Sequence, residues 1–338
     1  MIFLKNDYSL GACNEVMKAL VDTNMELSDG YGEDKYCQAA ADSIREAVSA
    51  PNADIHFLTG GTQTNQTALA AFLLRPHWSV ISADTGHICV HEVGAVEATG
   101  HKINHVRTDK GKLGASDIER EIKFHEDEHY VLPKAIYISH STETGLIYTR
   151  EELLELRAAC DKYGLFMYVD GARMAMALSC KDSDVRLSDF AELADAFYIG
   201  GTKCGALFGE ALVILNDELK TDMRFLIKQR GGLLAKGRLL GVQFVELFKD
   251  NLYTRLGAHA VKMNETLSAG IAKKGYEFAM HPQTNMSFVM FEKQLVKELS
   301  HKVMFETYPI ETETHQCIRL VTSWGTAKDE IEEFLELI

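Results

Sequence analysis

From about residue 54 to residue 215 the chain alternates short β-rich runs with helical patterns. The runs at 55–58, 80–83, 103–106, 135–139, 165–169, 196–199 and 211–215 have strand length and are largely apolar. That is the pattern of strands covered on both faces. Between them, helices are predicted over 65–74 and 90–98. Two more are expected from capping boxes, one at Ser116-Asp117-Ile118-Glu119 and one at Thr149-Arg150-Glu151-Glu152, the latter ending at Gly164. Strands alternating with helices define an α/β fold with a mostly parallel central sheet. From about residue 239 long helices take over, followed by strand runs at 276–280, 287–291 and 317–321. These predict a smaller α+β C-terminal domain. The expected division is an N-terminal segment over 1–25, a large domain over 26–240 and a small domain over 241–338.

Composition adds exclusions. With 338 residues, 46% hydrophobic and 25% charged, disorder and collagen-like structure are out. A net charge of −14 argues against a general partner for nucleic acid or an anionic membrane, since both want a basic field. A local basic pocket for a small anion stays open. The start MIFLKNDYSLG has no basic flank before an apolar run, and no stretch approaches the length of a membrane span, so neither signal peptide nor transmembrane helix is expected. Seven cysteines without a CxxC pair read as reduced thiols, which points to the cytoplasm.

In a parallel sheet, ligands sit beyond the carboxyl ends of the strands, and three of those ends carry chemistry. After the first run, Thr59-Gly60-Gly61-Thr62-Gln63-Thr64-Asn65 combines a glycine turn, a threonine hydroxyl and a helix start, a good phosphate cradle. Its spacing is neither the dinucleotide nor the P-loop fingerprint. Taken alone it equally reads as a tight turn with a threonine cap. Asp170 ends another run, where a carboxylate is costly without a countercharge; the rival reading is a helix cap. Lys203 stands among glycines after a third run. Together the three match what pyridoxal 5'-phosphate requires: amides for the phosphate, a carboxylate for the pyridine nitrogen and a lysine for the Schiff base.

With these residues in view, the sequence resembles the threonine aldolase branch of the aspartate-aminotransferase-like (fold type I) pyridoxal-phosphate enzymes. The resemblance runs along nearly the whole chain and is densest in GGTQTN, GHICVHE, VDGARMA, YIGGTKCGALFGEALV and CIRLVTSWGT. It implies that Lys203 carries the cofactor, Asp170 pairs with the pyridine nitrogen, Gly61 and Thr62 hold the phosphate, and His87 stacks on the ring. It also implies that Arg173 and Arg319 grip the substrate carboxylate, a task suited to a guanidinium fork. The family's usual serine in the N-terminal segment is replaced by Asn6, a candidate donor to the same carboxylate. Lys236 and Arg230 are both candidates for a basic residue on the phosphate, a role that the neighbouring subunit fills in the family. Tyr31, in Gly30-Tyr31-Gly32-Glu33-Asp34, resembles a tyrosine that approaches the site across a dimer interface; otherwise it is a surface turn residue.

The reaction implied is retro-aldol cleavage of L-threonine or L-allo-threonine to glycine and an aldehyde, in a homodimer or homotetramer with active sites at the dimer interface. The alternatives are β-elimination and amino-acid racemisation on the same scaffold. Thr62, His87 and His129 are candidates for the base that takes the hydroxyl proton, with His87 ranked above His129. His91 reads as structural. A metal is not expected, because His87, His91 and the adjacent Glu92 lack the HExxH order and a third ligand.

Overall fold

The computed structural model describes residues 1–108 and 110–338. The chain opens with β1 (Ile2–Phe3), α1 (Asn14–Asp22) and α2 (Lys35–Val48). Asp34 caps α2 by accepting the amides of Tyr36 and Cys37, each at 3.0 Å. There follow β2 (Asp54–Leu58), α3 (Gly61–Phe72), β3 (Trp78–Ala83), α4 (His87–Val90) and β4 (Lys102–Val106). Next come α5 (Ala115–Phe124), β5 (Leu132–Ser139), α6 (Arg150–Tyr163) and β6 (Phe166–Asp170). After α7 (Met174–Ser179) and α8 (Phe190–Leu193), β7 (Ala196–Gly200) and β8 (Glu210–Ile214) complete the central sheet.

That sheet has seven strands in the order β2-β8-β7-β6-β5-β3-β4. Only β8 runs against its two neighbours; the remaining pairings are parallel. The carboxyl ends of β2, β3, β5, β6 and β7 therefore share one edge. Both faces are covered, as the apolar runs require. Ile136, Val169, Phe197 and Val213 pack on one side with α6 and α7, while Tyr137, Tyr168, Tyr198 and Leu212 pack on the other against α3.

Beyond the sheet lie α9 (Met223–Gln229), α10 (Arg238–Phe248) and the long α11 (Leu252–Lys273). The last part contains β9 (Glu277–Met280), β10 (Met286–Glu292), α12 (Lys293–Leu299), β11 (Val303–Met304), β12 (Glu306–Glu311), β13 (His315–Val321) and α13 (Lys328–Leu337). Four of these strands form an antiparallel sheet in the order β12-β13-β10-β9. β1 pairs in parallel with β11, and Ile2 and Leu4 enter the apolar core beneath this second sheet. The N-terminal segment is thus tied to the C-terminal part, and residues 6 and 7 follow directly from that tie.

Local expectations hold where a named interaction enforces them. Thr149 and Glu152 cap α6 reciprocally, and Gly164 ends it in the left-handed conformation at φ 63°. The helix expected over 65–74 starts four residues sooner, because the extended Gly60 serves as N-cap and its carbonyl takes the Thr64 amide at 3.0 Å, closing the turn at Gly61. The helix expected over 90–98 is instead one turn of α4 and a short 3₁₀ turn at Glu97–Thr99. Val93 and Gly94 adopt φ of 53° and 75°, which breaks the helix between them. α5 starts at Ala115, with Asp117 accepting the Gly114 amide at 3.0 Å, so Ser116 is not its cap. No helix among the described residues is long and apolar enough to cross a membrane.

Candidate active site

The shared edge of the central sheet gathers the polar residues. Three strands end in the same pattern, Tyr137-Ile138-Ser139, Tyr168-Val169-Asp170 and Tyr198-Ile199-Gly200, so each tyrosine lies two residues before a strand end and on the same face as that end. Asp170 collects the hydrogen bonds there: Tyr137 donates to Oδ2 at 2.6 Å, Asn65 Nδ2 donates to Oδ2 at 2.9 Å, and the Ala172 amide donates to Oδ1 at 2.9 Å. Burial opposes its charge, but the nearby His87 and these donors outweigh it and hold the carboxyl below its usual range. It is thus a buried, ionised acceptor.

Lys203 leaves β7 through a glycine turn that Gly201 and Thr202 pin to the Gly209 carbonyl at 3.0 and 3.1 Å. Its ammonium has neither a hydrogen bond nor an ion pair among the described residues. Burial, reinforced by the Arg173 guanidinium, pushes its pKa below the ordinary lysine value. Beside it, Arg173 lies against Asp7, with Nε and Nη2 at 2.7 and 3.1 Å from the two carboxylate oxygens. Burial pushes the Glu210 carboxyl up to about 7, although Oε2 accepts the Gly201 amide at 2.9 Å.

At the end of β2, Gly60 and Gly61 begin α3 without a side-chain cap. A Cβ added at Gly60 would meet nothing within 4 Å, so the space in front of the first amides is open. Gln63 donates to the Arg230 carbonyl at 3.0 Å, which sets the 230–232 turn beside this helix start. The Arg230 Nε is buried without a partner, and burial lowers its pKa. Thr62 is exposed at the same helix start.

His87 opens α4, with its amide donating to Glu143 Oε1 at 3.0 Å and its Nδ1 2.8 Å from Glu92 Oε1. Burial works against its charge, yet the Glu92 hydrogen bond and the Asp170 carboxylate raise its pKa. The His91 ring lies 5.4 Å from it, at the end of the turn. Burial lowers the His91 pKa, helped by the charges of His87 and Arg319. Glu143, in the loop after β5, takes Ser139 Oγ at 2.6 Å on the oxygen that holds His87, and burial raises its pKa.

Several expected residues stand differently. Arg319, on β13, pairs with Glu306 through Nη2, and its buried Nε has no partner. Asn6 spends its side-chain oxygen on the Tyr8 amide and the Ser9 hydroxyl at 3.1 and 2.8 Å, leaving only its NH₂ to donate. Tyr31 is 46% exposed, and Lys228 lies 4.6 Å from its ring. Lys236 is exposed as well, and among the described residues no hydrogen bond or ion pair joins the side chain of Tyr31 or Lys236 to Gly61 or Thr62. His129 is apart from the cluster altogether. It sits in an exposed turn before β5, whereas the site lies beyond the far end of that strand, roughly 25 Å away at ordinary strand rise. The strand-end pattern singles out neither Asp7, Asn65, Glu143, Glu210 and Glu306 nor, outside the metal question, Glu92, all of which the structure brings to the cluster. The repeated tyrosine two residues before a strand end was the available signal for the wall around Asp170.

The strand order and strand-end cluster define a fold type I arrangement. The histidinol-phosphate aminotransferase of Clostridium acetobutylicum shares this fold, with a TM-score of 0.74 at 12% identity over 100% of this chain and 98% of that one. The chain belongs to the beta-eliminating lyase family, which it matches over residues 4–294. A low specificity L-threonine aldolase from a Pseudomonas species is 31% identical over 89% of this chain and 87% of its own. A Pseudomonas aeruginosa protein of the same name is 29% identical over 98% of this chain and 95% of its own. The solved Leishmania major threonine aldolase superposes with a TM-score of 0.98 at 44% identity, covering 100% of this chain and 98% of that one.

Proposed function

We propose that this chain is a pyridoxal-phosphate-dependent lyase that cleaves L-threonine and L-allo-threonine to glycine and an aldehyde. The observation that carries the reading is Lys203: a half-buried amine of lowered pKa, without a hydrogen-bond or ion-pair partner among the described residues, at the strand edge that also holds Asp170. The residues present fit the cofactor. The open, uncapped start of α3 would suit its phosphate, and Arg230, whose carbonyl Gln63 of α3 holds, is the cation we assign to it in preference to Lys236. Asp170, ionised, would face the ring nitrogen, and Lys203 is the amine that would hold the aldehyde carbon. When bound, this cofactor supplies an electron sink for the bond broken at the substrate α-carbon.

The chain's own residues do the rest. Arg173, braced by Asp7, and Arg319 hold the α-carboxylate, so that the Cα–Cβ bond is the one presented for cleavage. His87 takes the β-hydroxyl proton as the carbon–oxygen double bond forms and the Cα–Cβ bond breaks. A proton returned to the α-carbon completes glycine. The exposure of Tyr31 and Lys236 supports a homo-oligomer in which a partner subunit brings these residues to the site. Seven unpaired thiols support a reducing, cytoplasmic setting. The test is a visible absorption spectrum of the purified protein, followed by assays of aldehyde release from threonine and allo-threonine. The Lys203→Ala variant should lose both the absorption band and turnover. Pyruvate and ammonia in place of aldehyde and glycine would mean β-elimination, and turnover at the original rate in Lys203→Ala would remove the lysine from the mechanism.

A further inference from the structure

Among the cluster's carboxylates without a task in that reaction, Glu92 is the one that meets the ring of His87. The Glu92 side chain is wholly buried, at 0% exposure, and neither a lysine nor an arginine pairs with it among the described residues. Its Oε1 accepts from Asn65 Nδ2 at 2.8 Å and lies 2.8 Å from His87 Nδ1, while Oε2 is buried without a partner. Asn65 spends its second amide hydrogen on Asp170 Oδ2 at 2.9 Å and accepts the Tyr168 hydroxyl on Oδ1 at 3.0 Å. Asn65 is therefore held at both ends of its amide, and it links two carboxylates. A buried carboxylate needs a countercharge, and among the described residues the imidazole of His87 is the one titratable cation paired with it.

We infer that Glu92 is a positioning residue, which with Asn65 fixes His87 with Nδ1–H turned to the interior and Nε2 free for the cleft, and ties that orientation to Asp170. The inference rests on the proposed cleavage of β-hydroxy amino acids and deepens it. As the substrate O–H bond breaks, Nε2 takes the proton, Nδ1–H stays on Glu92, and the new imidazolium charge is balanced where it forms. The electrons of the Cα–Cβ bond pass to the α-carbon side, and a proton is later restored there. The groups facing His87 from the packed elements are Asp170 and Lys203 on the sheet edge, Glu143 in the loop after β5, His91 at the end of the turn, and Glu92. Lys203 opposes a proton on the ring, whereas Asp170, Glu92 and Glu143 favour it.

Glu92→Gln keeps the shape and an oxygen able to accept both hydrogen bonds, removes the charge and sets an NH₂ where the unpartnered Oε2 stands. In the cofactor-free protein, ¹⁵N NMR of the His87 ring, assigned by its loss in His87→Phe, should show titration at lower pH in Glu92→Gln than in the unchanged chain. In the holoenzyme the acidic limb of the kcat profile for threonine cleavage should move to lower pH. The plateau kcat should fall roughly tenfold or more, with KM held within about twofold. Glu92→Asp, which keeps the charge, should return the limb towards its original position. A merely structural role would lower the plateau and leave both titrations in place, and that result overturns the inference. Should Glu92→Gln fail to fold, the unchanged protein still decides the matter: above its pKa, His87 must be the Nδ1–H tautomer, and an Nε2–H ring excludes the assignment. If the unchanged enzyme releases no aldehyde from threonine, the functional reading falls, while the tautomer and titration still judge Glu92.

Discussion

Arg173 sets Nε and Nη2 against both oxygens of Asp7, a residue 166 positions earlier, and Asn285 donates to the same carboxylate at 2.9 Å. One fork edge of this arginine is already committed, which leaves Nη1 and the second hydrogen of Nη2 to meet the carboxylate of the proposed substrate. Asp7 therefore aims the arginine and also adds a negative charge beside Lys203.

Asp7→Asn leaves a largely buried guanidinium without its countercharge, which costs about 3 kcal/mol of stability. Burial raises the Asp7 pKa, but Arg173 and Lys203 lower it by more, so the net shift is downward from 3.8. A lowered carboxylate pKa means the contribution is present above 3.8 and is lost as pH falls below it. Urea denaturation should show a constant gap between the two proteins above that pH and a shrinking gap below it.

Glu210 behaves in the opposite sense. Burial raises its pKa from 4.5 to about 7, so the stability tied to its protonated form is present below pH 4.5 and lost as pH rises towards about 7. Glu210→Gln does not suffer that loss. The stability difference should move in favour of the variant by about 1–3 kcal/mol across this window, measured by denaturant titration at stepped pH.

A methyl group at Gly171 would lie 1.9 Å from the Tyr198 carbonyl oxygen and 2.9 Å from Met174 Cε. Gly171→Ala must therefore part the ends of β6 and β7, which carry Asp170 and lead to Lys203. The expected loss is about 3 kcal/mol, together with loss of cofactor binding. Gly60→Ala faces open space and an extended backbone, with φ −177°, so its melting temperature should hardly change. Its cofactor affinity should fall, because the new methyl group enters the cradle. Thermal melts and cofactor titration by fluorescence separate the two cases.

Arg319 reaches Glu306 through one terminal nitrogen and keeps a buried, unpartnered Nε. A lysine retains the charge but not the planar fork. Arg319→Lys should raise KM for threonine roughly 10-fold or more, with a smaller effect on kcat, in steady-state assays.

Much of the fold was legible because burial on both faces leaves a direct mark: runs such as 196–199 and 211–215 contain almost nothing polar. Strand ends were legible for the same reason, since a charged residue such as Asp170 directly after an apolar run stands out. Helix limits were less so. The 90–98 expectation failed at Val93 and Gly94, where the left-handed backbone is set by packing and leaves no periodic trace. His129 illustrates the harder case, because a histidine near acidic residues reads alike at either end of a strand, and only strand direction puts it away from the cleft.

The sequence by itself determined the alternation that makes a mostly parallel sheet, and it put glycines, an aspartate and a lysine just past three strands. Those features are local, enforced by periodicity, caps and the expense of burying charge. The tertiary structure alone decided who answers each charge. Asp7 comes to Arg173, Asn65 joins Glu92 to Asp170, and Glu306 takes an arm of Arg319, because sheet order and strand pairing bring distant segments together. Charges act through space, and the chain records only order along its length.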